Sequence, residues 1–175
     1  MVSFATIDPW LLTMQGPGIG IVENGTLAVE NDTTVYACTS DEFDASNAST
    51  IIDGSRHVTM LGLLNTHFHS SMTLLRGGAQ DIPEIEWMNR GVGPLGAHVN
   101  QDDSLIGSKP SVVEGLRSGT TTFAEYGANV ARLVENVYLP FGVRVVATET
   151  ICEEQAFLVI SQQGNRREER NLRRS

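Results

Sequence analysis

The chain has 175 residues with 21 acidic and 12 basic side chains, a net charge of −9, 41% hydrophobic residues and two cysteines. This length and hydrophobic share suffice for a compact domain and exclude a wholly disordered chain. The acidity argues against nucleic acid as a partner, because such a protein needs a basic face. No apolar run is long enough for a membrane span, and the start lacks an export signal, so a cytoplasmic protein is expected.

The charge is divided unevenly along the chain. Residues 1–154 carry 7 basic and 19 acidic side chains, a net of −12, whereas residues 155–175 carry five basic and two acidic ones, a net of +3. An acidic body with a single lysine, Lys109, is typical of halophile-like proteins, whose dense carboxylates stay solvated while salt screens their repulsion. An ordinary acidic protein is the alternative. The abrupt change predicts that residues 155–175 form a basic tail that is disordered or not native to the protein.

Residues 1–60 are predicted to form the strands of a small sheet. Their segments are rich in β-branched and alternating residues and are separated by turn signals such as Asn24-Gly25 and Asn31-Asp32. Strands are expected at 20–23, 26–30, 33–39, 51–52 and 57–60, with a polar loop at 41–49. Cys38 and Cys152 are expected to be buried thiols rather than a disulfide, because they are far apart in a chain without an export signal.

From residue 61 onward, strands alternate with helices. The order strand, helix, strand, helix, strand predicts a parallel sheet with right-handed helical crossovers. The first helix is expected to be capped by Asp102 or Asp103 and to start or kink at Pro110. The predicted strands lie at 61–69, 120–126 and 143–150, and the predicted helices lie at 102–117 and 129–138.

The first of these strands ends in Asn65-Thr66-His67-Phe68-His69. Because side chains alternate along a strand, His67 and His69 are expected on one side and Phe68 on the other. Two imidazoles at this spacing can bind one metal ion, although chance also explains an isolated pair. In a barrel, the histidines would face the interior at the carboxyl end, where barrel enzymes place their chemistry, and Phe68 would pack under the helices.

The segment MLGLLNTHFHSSMTLLRG, residues 60–77, resembles the opening of the barrel in the amidohydrolase superfamily. It is similar in particular to the deaminase and chlorohydrolase branch of this superfamily. That branch includes enzymes that resemble S-adenosylhomocysteine and methylthioadenosine deaminases, and triazine hydrolases. The resemblance implies an α/β fold: residues 1–60 supply strands of a small β-sandwich subdomain, and 61–154 form the first part of a truncated (β/α)8 TIM-type barrel. Further similar segments lie at 85–88, 91–95, 117–123 and 142–144.

The same resemblance implies a metal-dependent hydrolase of carbon–nitrogen bonds other than peptide bonds. His67 and His69 would be two ligands of one divalent ion, zinc or alternatively iron, whose bound hydroxide attacks a small heterocyclic substrate such as a cyclic amidine or an aminopurine. In the superfamily, the remaining ligands and a glutamate proton shuttle lie in the second half of the barrel. We therefore expect the chain to be an inactive fragment of such an enzyme. The alternatives are a truncated non-catalytic product and one half of a split enzyme that a second chain completes.

Two positions depart from the pattern of these enzymes. Leu61 stands where proline usually precedes the glycine, which affects the strand entry more than the chemistry. Gly96 stands where the adenosine-type deaminases carry a glutamate that holds the ribose, which puts an adenosine-type substrate in doubt. His98 is either a substitute contact or an exposed histidine.

Other polar and aromatic residues have structural alternatives. Glu125 is expected to face the site if the strand register holds, with a supporting or purely structural role as the alternative. Arg76 is expected to anchor the loop after the metal strand. Trp87 and Met88 are expected to pack within a helix rather than form a substrate wall.

Overall fold

The computed structural model describes residues 2–149 and divides the chain into two compact units, Met1–Gly62 and Leu63–Ser175. Cys152 and the basic tail at 155–175 lie outside the described residues. Within the described part of the chain, no helix has both the length and the apolar character that a membrane crossing requires.

The first unit consists of short strands arranged in two sheets. A four-stranded sheet has the order β5-β4-β1-β6, and a three-stranded sheet has the order β3-β2-β7. The expected polar loop contains two short 3-10 turns. The strands are β1 (Phe4–Ile7), β2 (Trp10–Leu12), β3 (Ile21–Val22), β4 (Gly25–Glu30), β5 (Thr33–Thr39), β6 (Ile51–Asp53) and β7 (Val58–Met60), and the turns are Ser40–Glu42 and Ala45–Asn47.

The five strands predicted in this unit are confirmed, but β1 and β2 are additional. β1 lies between β4 and β6, and two consecutive residues, Ala5 and Thr6, are buried in it. A short strand covered in this way shows no polar and apolar alternation, so its pattern gives no strand signal. Cys38 on β5 is exposed, so the expectation that it is buried is wrong.

The second unit contains a parallel three-stranded sheet in the order β10-β9-β8, which confirms the predicted alternation of strands and helices. The predicted helix at 129–138 is observed as a short α-helix that continues into a π-helical turn. The elements are β8 (Leu63–Phe68), α1 (Glu84–Glu86), α2 (Gly93–Gly96), α3 (Gln101–Arg117), β9 (Thr120–Gly127), α4 (Val130–Leu133) and β10 (Arg144–Glu149), with a 3-10 helix at Ser70–Leu75 and π-helical turns at Trp87–Val92 and Val134–Tyr138.

Helix α3 is capped by Asn100, not by Asp102 or Asp103. The Asn100 side chain accepts hydrogen bonds from the backbone N–H groups of Asp102 (2.8 Å) and Asp103 (2.9 Å). The Asp103 carboxylate in turn accepts the Asn100 N–H at 3.1 Å, which completes a capping box. Since α3 begins at Gln101 and runs past Pro110, the expected start at the proline is wrong.

The core of the second unit lies between the sheet and the helices. It is formed by fully or almost fully buried side chains from α3, β9 and the α4 region, and Phe68 packs against it with its ring centroid 4.9 Å from that of Phe123. The expected position of Phe68 under the helices is therefore confirmed. The buried members are Val112, Phe123, Leu133, Val137 and Tyr138.

Candidate metal centre

His67 lies near the end of β8, and His69 follows directly after it. The two imidazoles lie on the side of the sheet opposite Phe68, with ring centroids 5.4 Å apart and planes almost perpendicular, at 85°. The expected placement of both histidines on one side is thus observed. Their role as metal ligands remains a prediction from the pattern and the resemblance.

Tyr126 on β9 sets the orientation of His69. Its backbone carbonyl oxygen lies 2.8 Å from Nδ1 of His69. Because a carbonyl oxygen only accepts hydrogen bonds, Nδ1 carries the proton and donates it, and in the neutral imidazole the lone pair is on Nε2. Metal-binding histidines are typically held in this way, with one ring nitrogen bonded to a protein acceptor and the other presented to the ion.

The side chain of Tyr126 contacts His67 as well. Its phenolic oxygen lies 2.6 Å from Nε2 and 3.3 Å from Nδ1 of His67. Its ring centroid lies 3.9 Å from that of His69 and 5.1 Å from that of His67, so the three rings form one cluster. Tyr126 was not among the residues predicted from the sequence, although the alternation of β9 would have placed it on the face opposite Phe123 and Glu125.

Glu125 points to the helices and not to the histidines, so the expectation that it faces the site is wrong. It is 2% exposed and shares its face of β9 with the buried Phe123. Its carboxylate accepts the backbone N–H of Ser70 at 3.1 Å and the hydroxyl of Tyr138. Burial, and next the hydrogen bond to Glu125, raise the pKa of the Tyr138 hydroxyl well above its usual range. These contacts support the alternative, structural role.

A buried hydrogen-bond network extends from this carboxylate into α3. The Ser70 hydroxyl donates to Oγ of Ser108 at 2.7 Å, and the Ser111 hydroxyl donates to the Ser70 carbonyl at 2.7 Å. The segment that follows β8 is therefore bound to α3 through both the side chain and the backbone of Ser70. Ser70 is fully buried within these contacts.

Arg76 anchors the end of the 3-10 helix to α3, as expected. Its guanidinium donates two hydrogen bonds to the Glu114 carboxylate, at 2.9 and 2.7 Å. These bonds hold the pKa of the Glu114 carboxyl below its usual range. Both side chains are more than half exposed, so the pair contributes little free energy and is sensitive to salt.

The remaining candidates do not join the histidine pair. His98 is exposed in the turn after α2, Trp87 is half-buried and Met88 is exposed. Within residues 2–149, no cluster of three or more histidine, cysteine, aspartate or glutamate side chains is placed to hold a metal ion. A pocket of about 500 Å³ beside His69 is lined by residues of β8, the 3-10 helix and α3, including Asn65 and Arg76.

Comparison with known sequences places these features in one family. The model of the amidohydrolase family matches residues 58–174. The 5'-deoxyadenosine deaminase of Methanosarcina acetivorans is 37% identical over 131 residues, which are 73% of this chain and 29% of that protein. The 5-methylthioadenosine/S-adenosylhomocysteine deaminase of Thermoanaerobacter pseudethanolicus is 33% identical over 138 residues, 77% of this chain and 30% of that protein. The chain thus spans less than a third of the length of these relatives.

Solved structures show the same fold. A zinc-bound adenosine deaminase from Xanthomonas campestris matches with a TM-score of 0.75 and 26% identity, covering 82% of this chain and 33% of that one. An atrazine chlorohydrolase from Arthrobacter aurescens, complexed with zinc, matches with a TM-score of 0.71 and 17% identity, covering 86% and 38%. The second likeness concerns the fold alone. Since the family model matches more than half of its residues, the chain belongs to the amidohydrolase family.

Proposed function

We propose that the protein is a metal-dependent hydrolase that deaminates an aminopurine-like compound. The observation that carries this proposal is the histidine pair: His67 and His69 lie on one side of the sheet, and the Tyr126 carbonyl holds the Nδ1 proton of His69. The relatives are deaminases of adenosine derivatives, which supports carbon–nitrogen bond hydrolysis.

The two imidazole donors are of the type that zinc prefers, with iron as the alternative, and they are fewer than a complete zinc site needs. Neutral imidazole nitrogens are among the preferred ligands of zinc, and His67 and His69 would hold the ion. When bound, the ion would supply Lewis-acid activation of water for hydrolysis. The chain's own residues orient the ligands: the Tyr126 carbonyl keeps the proton on Nδ1 of His69, and the Glu125 carboxylate holds the adjoining Ser70 amide.

For the substrate we propose a small heterocycle with an amino leaving group, rather than a nucleoside held through its ribose. Gly96 offers no carboxylate to ribose hydroxyls, and a Cβ atom built at this position would meet no atom within 4 Å. An aminopurine base or a related cyclic amidine needs no such contact. Comparing turnover of the free base with that of its nucleoside in a complete enzyme carrying these residues tests this preference.

We further propose that a polypeptide of these 175 residues alone is inactive. Within residues 2–149 the histidine pair supplies two donors, whereas catalytic zinc sites use three protein ligands. A second polypeptide with the remaining barrel strands would then restore activity. Incubating the chain with zinc and an aminopurine tests this: we expect no ammonia release, and turnover that disappears in His67→Ala would contradict it.

Zinc binding by the chain tests the metal site directly. We expect His67→Ala and His69→Ala each to weaken zinc binding about ten-fold or more in calorimetric or dialysis titrations, because each removes one donor. His98→Ala is the matched control, since His98 is exposed and is not among the rings that contact His67 and His69, and its affinity should equal that of the unmodified chain. Equal affinity in the His67→Ala variant would rule out this site.

A further inference from the structure

We propose that the exposed face of the three-stranded sheet β3-β2-β7 is a surface through which two copies of this chain associate. The proposal concerns the first unit and is independent of the histidine pair and of the proposed hydrolysis. It rests on the strand register, which collects apolar side chains on one side of this sheet, and on the exposure of those side chains.

The register places five apolar residues on this face. Residues directly opposite each other on paired strands point to the same side of a sheet, and so do residues two positions apart on one strand. Trp10 is paired with Val58, and Leu12 is paired with both Met60 and Ile21. These five residues, which we call the Trp10 face, form a contiguous apolar surface without a charged side chain.

The other side of the same sheet is covered within the first unit. Leu11, whose side chain alternates with those of its neighbours on β2, is buried. It packs against β4 so closely that a Cβ atom at Gly25 would lie 2.9 Å from Cβ of Leu11. The Trp10 face is therefore the outward side of the sheet. Four of its members are 49–59% exposed: Trp10, Ile21, Val58 and Met60.

The size of the exposed surface indicates how strong the association is. Four half-exposed side chains of roughly 150–250 Å² each leave on the order of 400 Å² of apolar surface in contact with water. Apolar patches of this size on soluble proteins commonly mark sites of protein association. Two such patches in contact would bury roughly 800 Å² in total, which is less than the roughly 1,200 Å² at which standard stable interfaces begin. The area therefore fits a weak, reversible dimer.

A second copy of the chain is the partner that this surface fits best. A face without charged side chains offers no group for ion pairing, so it does not select an acidic or a basic partner. A two-fold contact sets the Trp10 face against its own equivalent, which is apolar throughout. The net charge opposes this contact, because residues 1–62 carry eight acidic side chains and one basic side chain. Salt screens that repulsion and should therefore strengthen the dimer.

Sedimentation equilibrium of the full chain at high salt tests the proposal. We expect the molar mass to rise from that of one chain toward that of two between about 1 and 500 μM protein, and to rise less at low salt. Val58→Asp places an unpaired carboxylate in the contact on both copies and should weaken the dimer about ten-fold or more. Val35→Asp is the matched control: Val35 is similarly exposed but lies on β5 in the four-stranded sheet, so this variant should associate like the unmodified chain. Circular dichroism establishes that both variants are folded.

Tryptophan fluorescence tests the same surface without changing it. The chain has two tryptophans, Trp10 and Trp87, so Trp87→Phe leaves Trp10 as the reporter. Its emission should move to shorter wavelength as the protein concentration rises, because the contact removes water from the indole. A chain that stays monomeric over this range, a Trp10 emission that does not move, association that salt weakens, or equally strong association in folded Val58→Asp would each overturn the inference. None of these measurements involves zinc, so their outcome is separate from that of the histidine site.

Discussion

Glu125 and Tyr126 are neighbours on β9, and they bind two neighbouring residues just after β8, Glu125 through its side chain and Tyr126 through its backbone carbonyl. The Glu125 carboxylate accepts the Ser70 amide N–H at 3.1 Å on the helix face, and the Tyr126 carbonyl accepts Nδ1–H of His69 at 2.8 Å. The segment that follows β8 is therefore bound to β9 at two successive residues, His69 and Ser70. Folding of the second unit and orientation of His69 are coupled for this reason.

Truncation of Glu125 should destabilise the second unit strongly. Glu125→Ala removes the acceptor for the Ser70 amide and the Tyr138 hydroxyl, and both groups are buried. Each buried donor without a partner costs about 1–3 kcal/mol, so we expect a loss of about 2–6 kcal/mol in urea unfolding. Glu125→Gln keeps an acceptor oxygen and should lose less; equal losses in the two variants would contradict this explanation.

The Tyr138 hydroxyl should make the protein sensitive to alkali. Burial raises its pKa above the ordinary 10.0, so the folded state keeps the proton under conditions where the unfolded chain loses it. The stabilisation is fully present below about pH 10 and falls by about 1.4 kcal/mol per pH unit above it. Urea titrations between neutral pH and pH 11 should show the stability difference from Tyr138→Phe shrinking above pH 10. A constant difference would rule out this linkage.

The Asn100 cap should contribute measurably to α3. Asn100→Ala leaves the N–H groups of Asp102 and Asp103 without their side-chain acceptor, and we expect a loss of about 1 kcal/mol in the free energy of unfolding. Asn100→Asp retains an acceptor at the same position and is the matched control, with near-normal stability expected. A loss of the same size in both variants would show that the cap is not responsible.

Gly115 should not tolerate alanine, despite its place in a helix. A Cβ atom there would lie 2.6 Å from Cζ of Phe123, which is fully buried. We expect Gly115→Ala to destabilise by up to about 2 kcal/mol, because overpacking costs about 1–3 kcal/mol and the helix-propensity gain is only about 1 kcal/mol. Gly96→Ala meets open space and should be neutral or stabilising. Thermal unfolding of the two variants distinguishes overpacking from a general effect of replacing glycine.

Local patterns in the sequence were sufficient for the order of the three strands and the two helical segments that connect them, although not for the short helical segments between residues 70 and 96. The alternation along β8 predicted that His67 and His69 share a side and that Phe68 packs under the helices, because this geometry depends only on neighbouring residues. The cap of α3 was misplaced by two or three residues, since Asn100, Asp102 and Asp103 are all good capping residues. Asn100 is the cap because its backbone is extended, which is the conformation that an N-cap residue requires.

The sequence by itself determined the family, the parallel strand order and the histidine pair, all of which are encoded in segments of a few neighbouring residues. The tertiary structure decided which β9 residues meet that pair, because this depends on the register and facing of β9 against β8. In the structure the Glu125 side chain lies among the helices and the Tyr126 side chain lies against the imidazoles. The sequence had suggested instead that the Glu125 carboxylate faces the site. Contacts between residues nearly 60 positions apart arise only when the strands pair, and no local pattern contains them.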